Sequence, residues 1–354
     1  GVLERGVLEK DVLEKSVLEK NALSRFKPLR NSVMKYRQLG RTALSVSELC
    51  LGTMNFGPRT SERDSFEILN RSVEAGINFV DTANQYGGDL GVGTTEKILG
   101  RWLAEDKSRR EHIVLATKAH EPMSDDINDH GLSARHIQMA CDASLKRLGV
   151  EHIDLYQMHH IDRSAPIEEI WQAMDRLINQ GKITYVGSSN FPGWAIARAN
   201  EKAIARQRLG LISEQSVYNL IERRVELEVL PACREYGLGL IPWSPLAGGL
   251  LAGGEGVATG RRHSAEMQKV VGERRKQLDQ FDHLCGELGE APSSIALSWL
   301  LHQPGVAATI IGPGSAAQLT SVLQVPDIRL DSPTLNQLDE IFPPCGEAPE
   351  AYAW

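Results

Sequence analysis

Four polar residues whose side chains could cooperate in a proton transfer stand at the ends of short apolar runs or just after them: Asp81, Tyr86, Lys118 and His159. A tyrosine alone, with a pKa of about 10, is a poor acid or base at neutral pH. A lysine cation beside it favours the phenolate and lowers that pKa, an aspartate keeps the lysine charged, and a histidine can orient a substrate oxygen or relay a proton. These residue types therefore predict a site that exchanges a proton with an oxygen of a small molecule.

The elements that must position these residues are short apolar runs that alternate with longer amphipathic segments, a pattern typical of repeated βα units and a parallel sheet. The predicted strands are Glu48–Gly52, Ile77–Asp81, His112–Lys118, Ile153–His159, Ile183–Ser188, Leu211–Gln215, Leu238–Trp243 and Val306–Ile311. Predicted helices between them include Ser61–Ala75, Ala134–Leu148, Ile167–Gln180 and Val225–Tyr236. Eight such units in 354 residues favour one closed (β/α)8 TIM barrel, whose strands all end at the same mouth.

Two segments do not fit the repeated unit. Residues 1–33 contain a five-residue repeat (GVLER, GVLEK, DVLEK, SVLEK), which would spiral Val-Leu pairs around a helix instead of forming one apolar stripe. We expect these residues to be an appendage that the chemistry does not need, with the barrel over residues 34–354. The interval from Leu246 to Pro292 is too long for one crossover, so it is predicted to hold a Gly-rich loop and an extra helix before the last βα unit.

Composition and charge argue against several classes of protein. The formal net charge of −7 argues against binding to nucleic acid or to an anionic membrane surface. The five cysteines are widely spaced without a CxxC pair, which fits a reduced, cytoplasmic setting, and no apolar run is long enough to span a membrane. No ligand spacing supports a metal site, and no GxSxG elbow supports a serine hydrolase.

Three segments, GINFVDTANQYG, LATKAH and DLYQMHHID, resemble the catalytic segments of the aldo-keto reductase family. The resemblance covers essentially all of the chain from Met34 onward. It implies a barrel that moves a hydride from NADPH to a carbonyl, with Tyr86 as general acid and with Asp81, Lys118 and His159 completing the catalytic tetrad.

The same resemblance implies where the cofactor binds. The segment GSSNF places Ser189 and Asn190 at the nicotinamide carboxamide, together with Gln215, and the segment IPWSPLAGGLL places Trp243 against the nicotinamide ring. The residues implied at the pyrophosphate are Ser244, Leu246 and Gly248.

The segment IIGPGSAAQLTSVL departs from the family pattern. Gly314 stands where an Arg often reads the 2′-phosphate of NADPH, and Val322 stands where an Asn is expected near the adenine, whereas Ser315 and Gln318 match. Gly314, Ser315 and Gln318 are still assigned to the cofactor site, because backbone and hydroxyl groups at a helix start can hold a phosphate. Arg261 or Arg262 could assist. NADPH is thus expected from the family, and NADH stays open.

The substrate is predicted less directly. The stretches EPMSDDINDHGLSARHI and SLKRLGVEHIDLYQMHHIDRSAP, with PEAYAW, resemble the actinobacterial branch that contains 2,3-reductases of dTDP-4-keto-6-deoxyhexoses. Those enzymes make deoxysugars for antibiotic biosynthesis, so a dTDP-sugar carbonyl is the first hypothesis. A general aldehyde or ketone reductase is the second. A third is a non-catalytic, NADPH-binding sensor that resembles the β-subunits of potassium channels.

Overall fold

The structure is a computed structural model that describes residues 34–253 and 265–353. The predicted appendage at residues 1–33, and Arg261 and Arg262, lie outside the described residues. Within the described ranges no helix is both long enough and apolar enough to cross a membrane.

Eight parallel strands form one curled sheet. Their bounds are β3 Leu49–Gly52, β4 Phe79–Asp81, β5 Val114–Ala119, β6 Ile153–Met158, β7 Ile183–Ser189, β8 Leu211–Gln215, β9 Gly239–Leu240 and β10 Thr309–Ile311. From β3 to β9 each strand pairs with the next in chain order, and β10 pairs with β3. A parallel bridge between Leu240 and Val306 joins β9 to the segment before β10. The predicted (β/α)8 barrel is thereby confirmed.

The observed strands are mostly shorter than predicted, and for β9 the reason is local. It ends at Leu240 although we predicted a strand through Trp243. Pro242 has no N–H and cannot donate to the sheet, which interrupts regular pairing. Its carbonyl oxygen still accepts from Ile310 N at 3.0 Å, and Trp243 N donates to Ser216 O at 3.0 Å. The chain therefore stays beside its neighbours up to Trp243 without forming a continuous ladder.

Apart from short 3-10 segments, a hairpin and twelve α-helices complete the described part of the chain. The hairpin consists of β1 Tyr36–Gln38 and β2 Ser45–Ser47. The helices are α1 Glu62–Glu74, α2 Thr94–Glu105, α3 Ala134–Leu148, α4 Ile167–Asn179, α5 Gly193–Ala205, α6 Val229–Tyr236, α7 Ala265–Glu273, α8 Arg275–Leu288, α9 Pro292–His302, α10 Ala316–Val322, α11 Ser332–Ile341 and α12 Glu350–Ala353. Two helices, α7 and α8, occupy the interval where one extra helix was predicted, because the backbone of Arg274 leaves helical geometry (φ −106°, ψ 10°).

The core has two parts because successive side chains of a strand point to opposite faces. One cluster fills the barrel and includes Cys50, Phe79, Ala116, Leu155 and Ile212, and the larger cluster lies between the sheet and the helices. On β6, for example, Leu155 faces the interior, whereas the buried Tyr156 hydroxyl donates to Ile137 O of α3.

Candidate active site

Asp81, Lys118 and Tyr86 meet at the carboxyl ends of β4 and β5. Lys118 is fully buried, and its Nζ donates to Asp81 Oδ2 at 2.5 Å, to Thr82 O at 2.9 Å and to Tyr86 Oη at 3.1 Å. Asp81 is the last residue of β4, and Tyr86 follows it in the loop. The structure thus brings together three of the four residues predicted to handle a proton.

The charge on Lys118 is stabilised within this group. Burial alone would lower the pKa of the Lys118 ammonium, but attraction to Asp81 and Tyr86 and the hydrogen bonds to both raise it above its ordinary value. Lys118 is therefore a cation at neutral pH, and it is held directly against the tyrosine oxygen.

The pKa of Tyr86 differs from the prediction. We expected the lysine to lower it, but burial raises the pKa of Tyr86 above its ordinary value, and the opposing effect of Lys118 offsets this only in part. Desolvation of the phenolate is the larger effect because protein atoms surround the hydroxyl group, although the residue as a whole is partly exposed. At neutral pH Tyr86 carries its proton, which is the state that a proton donor needs.

His159 lies beside Tyr86, with ring centroids 5.9 Å apart in an edge arrangement. Burial, and then the nearby Lys118 cation, lower the pKa of His159 to about 2. Its Nδ1 has no hydrogen-bond partner among the described residues. The ring is therefore neutral, which suits orientation of a substrate oxygen better than donation from an imidazolium.

His160 occupies a different environment from His159. Its ring stacks on His159 at 5.1 Å, and its Nε2 lies 3.2 Å from Glu121 Oε1 near the surface.

Sequence reasoning missed Gln157, which faces the same interior two residues before His159. Asp81 Oδ1 accepts from Gln157 Nε2 and from Gln215 Nε2, each at 2.9 Å. Gln215 Nε2 also lies 3.2 Å from Gln157 Oε1. The period-two alternation of β6 could have placed Gln157 on the inward face, although it could not have shown these partners.

The segment after β7 joins the tetrad to Trp243. Asn190 has a left-handed backbone (φ 56°), and its Nδ2 donates to His159 O at 3.1 Å and to Ser189 Oγ at 3.0 Å. Its Oδ1 accepts from Trp243 Nε1 at 3.0 Å. The partly exposed indole is thereby fixed in orientation at the mouth.

A second missed residue, Glu214, supports this segment from inside the protein. Its fully buried carboxyl group accepts from Ser188 Oγ, from Ser216 Oγ at 2.6 Å and from Phe191 N at 3.1 Å. Burial raises the pKa of Glu214 to about 7, against the opposing effect of these hydrogen bonds. The carboxyl group therefore ties the end of β7 to β8.

The loop after Trp243 has an unusual backbone. Ser244 and Ala247 have φ values of 53° and 48°, and Gly248 has a φ of 69°. Few non-glycine residues adopt this region. Asn219 Nδ2 donates to Ser244 O at 2.9 Å and helps to hold the turn. Leu246 lies between these residues and packs against the larger core cluster.

The remaining predicted cofactor residues lie after β10 and bond to one another. Gln318 Oε1 accepts from Gly314 N at 2.7 Å, and Gln318 N donates to Ser315 Oγ at 3.3 Å. The loop after β3 also contacts this segment, because Thr60 Oγ1 lies 3.4 Å from Gly314 O. Gly314 has no side chain to read a phosphate, so any contact here comes from the backbone or from Ser315 and Gln318.

The residues at the mouth fit the carboxamide of a nicotinamide. Both N–H groups of Gln215 are used by Asp81 and Gln157, but no described residue donates to its Oε1. This carbonyl oxygen can accept from a carboxamide N–H, and the Ser189 hydroxyl lies at the end of the adjacent strand. A dinucleotide would supply a hydride donor at this position.

Comparison with known proteins identifies the family of the chain. The model of the aldo/keto reductase family matches residues 48–342. The chain is 48% identical over 327 residues to the uncharacterized oxidoreductase YrpG of Bacillus subtilis, covering 91% of this chain and 100% of that protein.

Two more distant relatives have different names. Versiconal hemiacetal acetate reductase of Aspergillus parasiticus is 30% identical, with 88% of this chain and 98% of that protein covered. A probable voltage-gated potassium channel subunit beta of Arabidopsis thaliana is 32% identical, with 90% of this chain and 100% of that protein covered.

Proposed function

This chain belongs to the aldo/keto reductase family and is an oxidoreductase that acts on a small-molecule carbonyl, and we propose that it uses NADPH as hydride donor and Tyr86 as proton donor. The observation that carries the proposal is the buried Lys118 ammonium, which donates to both the Asp81 carboxylate and the Tyr86 hydroxyl. A cation in this position stabilises the phenolate that remains when Tyr86 gives up its proton.

The chemistry divides between the cofactor and the protein. The bound cofactor supplies the hydride to the carbonyl carbon. Neutral His159, beside Tyr86, orients the carbonyl oxygen, and Tyr86 donates its proton to that oxygen as negative charge develops there. Lys118 then balances the phenolate, and Asp81 keeps the ammonium in place.

For the substrate, we propose a dTDP-linked keto-deoxyhexose, the class on which 2,3-reductases of dTDP-4-keto-6-deoxyhexoses act. The support is the resemblance of residues 121–137 and 144–166 to reductases of that class. The reductases among the relatives have other names, so a general aldehyde or ketone reductase is the competing assignment.

Loss of NADPH absorbance with purified protein tests this substrate. An enzymatically generated dTDP-3,4-diketo-2,6-dideoxyhexose is compared with a simple aromatic aldehyde at equal concentration. We expect rapid oxidation with the sugar nucleotide and little with the aldehyde. Oxidation with the aldehyde alone would replace the sugar assignment by general carbonyl reduction.

The potassium-channel relatives favour a second candidate, in which the bound cofactor is sensed and not turned over. Counting NADPH equivalents separates the two functions. An enzyme consumes many equivalents per chain when carbonyl is in excess, whereas a sensor binds cofactor tightly and stops at or below one equivalent.

A further inference from the structure

The starting observation is a closed set of hydrogen bonds among three buried side chains. Gln157 Nε2 and Gln215 Nε2 both donate to Asp81 Oδ1, and Gln215 Nε2 also donates to Gln157 Oε1. Asp81 is 2% exposed, Gln157 1% and Gln215 3%. Burial on this scale means that water does not compete effectively for these groups.

The set fixes which way the amide of Gln215 points. If that amide were rotated by half a turn, its Oε1 would face both the Asp81 carboxylate and Gln157 Oε1, and these three oxygens would have only the Gln157 Nε2 donor among them. An unsatisfied buried acceptor costs about 1–3 kcal/mol, and more when a charged group is involved. Gln215 therefore presents its oxygen, and not its nitrogen, to the mouth.

Space for Gln157 is provided by the strand beside it. Gln157 of β6 pairs in register with Gly187 of β7, which pairs with Ser213 of β8. A Cβ at Gly187 would lie 3.2 Å from Gln157 Cγ and 2.5 Å from Ser213 Oγ. The glycine leaves room for the Gln157 side chain to cross the interior toward Gln215 and Asp81.

We propose that Gln157 is a positioning residue that orients the Gln215 amide, so that Gln215 Oε1 accepts an N–H of the nicotinamide carboxamide. The proposal rests on the proposed function, because it requires a nicotinamide cofactor. Gln157 itself contacts neither cofactor nor substrate in this account. It acts through Gln215, and it links the cofactor site to Asp81 of the tetrad.

Binding of two oxidised cofactors tests the proposal without turnover. NADP⁺ has a carboxamide with N–H donors, whereas its 3-acetylpyridine analogue has a methyl ketone at the same position and cannot donate. Calorimetric titration gives the Kd of each for the wild-type protein and for Gln157→Leu. In Gln157→Leu the Gln215 amide keeps Asp81 Oδ1 as an acceptor but loses Gln157 Oε1, so one hydrogen bond instead of two holds its orientation.

We expect wild type to bind NADP⁺ more tightly than the analogue. In Gln157→Leu the Kd for NADP⁺ should rise about tenfold, which corresponds to the loss of one hydrogen bond of about 1.4 kcal/mol. The Kd for the analogue should change by less than about threefold. A role in packing alone would weaken both cofactors by the same factor, and that result would overturn the proposal. Equal wild-type affinity for the two cofactors would overturn it as well.

Tyr156→Phe is the matched control, because it removes one buried hydrogen bond from the neighbouring position on the opposite face of β6. It should leave the ratio of the two Kd values unchanged. If Gln157→Leu fails to fold, Gln157→Met gives the same test with a more flexible side chain. A wild-type protein that binds neither cofactor would overturn the proposed function itself, whereas binding with an unchanged ratio in the variant overturns only the role of Gln157.

Discussion

At the scale of single residues, one side chain of the site carries the positive charge and another carries the proton that is transferred. Lys118 carries the charge, Tyr86 carries the proton, and His159 stays neutral because burial and the lysine cation both disfavour its protonation. Each side chain therefore has one protonation state through the neutral range. We expect no titration of His159 in a pH–rate profile near its ordinary pKa of about 6.5.

Replacing Lys118 by Met should change the pH dependence of the reverse reaction, the oxidation of the product alcohol. That direction needs Tyr86 as phenolate, so its rate rises as the pH rises through the Tyr86 pKa. Lys118 lowers this pKa, and its removal raises it further. The alkaline rise in kcat/KM should move to higher pH in Lys118→Met, with a rate about 10² lower at neutral pH.

Lys182→Met is the control for this experiment, because Lys182 pairs with Asp142 and directly precedes β7, at the opposite end of that strand from Ser189. Its profile should match that of wild type. A Lys118→Met profile that superimposes on the wild-type profile would contradict the role of Lys118.

At the scale of elements, packing between β6, β7 and β8 requires a glycine. A side chain at Gly187 would collide with Ser213 Oγ and crowd Gln157, so Gly187→Ala should lower the free energy of unfolding by about 1–3 kcal/mol. Chemical denaturation measures the change.

Gly286→Ala in α8 is the comparison, since a Cβ there meets nothing within 4 Å. It should stabilise the protein by about 0.5–1 kcal/mol, because alanine favours a helix over glycine. If the two substitutions changed the free energy of unfolding equally, Gln157 of β6 and Ser213 of β8 would leave room for a side chain at Gly187, and this account of the packing would be wrong.

The loop before α10 should govern the choice between NADPH and NADH. A Cβ at Gly314 would be 3.4 Å from Gln318 Oε1, which leaves room for a side chain. Gly314→Arg should increase the preference for NADPH over NADH about tenfold, since a guanidinium binds the 2′-phosphate with charge-assisted hydrogen bonds. Measured Kd values for both cofactors give the ratio.

Gly314→Ala adds volume without charge and should leave that ratio unchanged. If Gly314→Arg increased the affinity for NADH and NADPH by the same factor, this loop would not lie near the 2′-phosphate.

At the scale of the whole molecule, residues 1–33 are proposed to be dispensable. A chain that starts at Met34 keeps the hairpin and every strand of the barrel. It should have the same kcat/KM and the same melting temperature as the full chain. Loss of folding or of activity on this deletion would show that the five-residue repeat has a role in the barrel.

Sequence periodicity predicted the eight strands and the gathering of Asp81, Lys118, Tyr86 and His159, because strand ends in a closed barrel share one mouth. It could not predict contacts between residues far apart in the chain, such as that of Gln157 with Gln215. The raised pKa of Tyr86 was missed for a related reason. Burial is a property of the assembled mouth and outweighs the single lysine that the sequence displays.

The most direct test of carbonyl reduction with Tyr86 as proton donor is the NADPH consumed per chain by wild type and by Tyr86→Phe, at saturating cofactor and excess carbonyl. Wild type should consume many equivalents. Tyr86→Phe should bind NADPH with the same Kd and turn over about 10² or more slowly, because it lacks the hydroxyl group that donates the proton. Equal turnover by the two proteins, or a wild type that stops at one equivalent, would contradict the account.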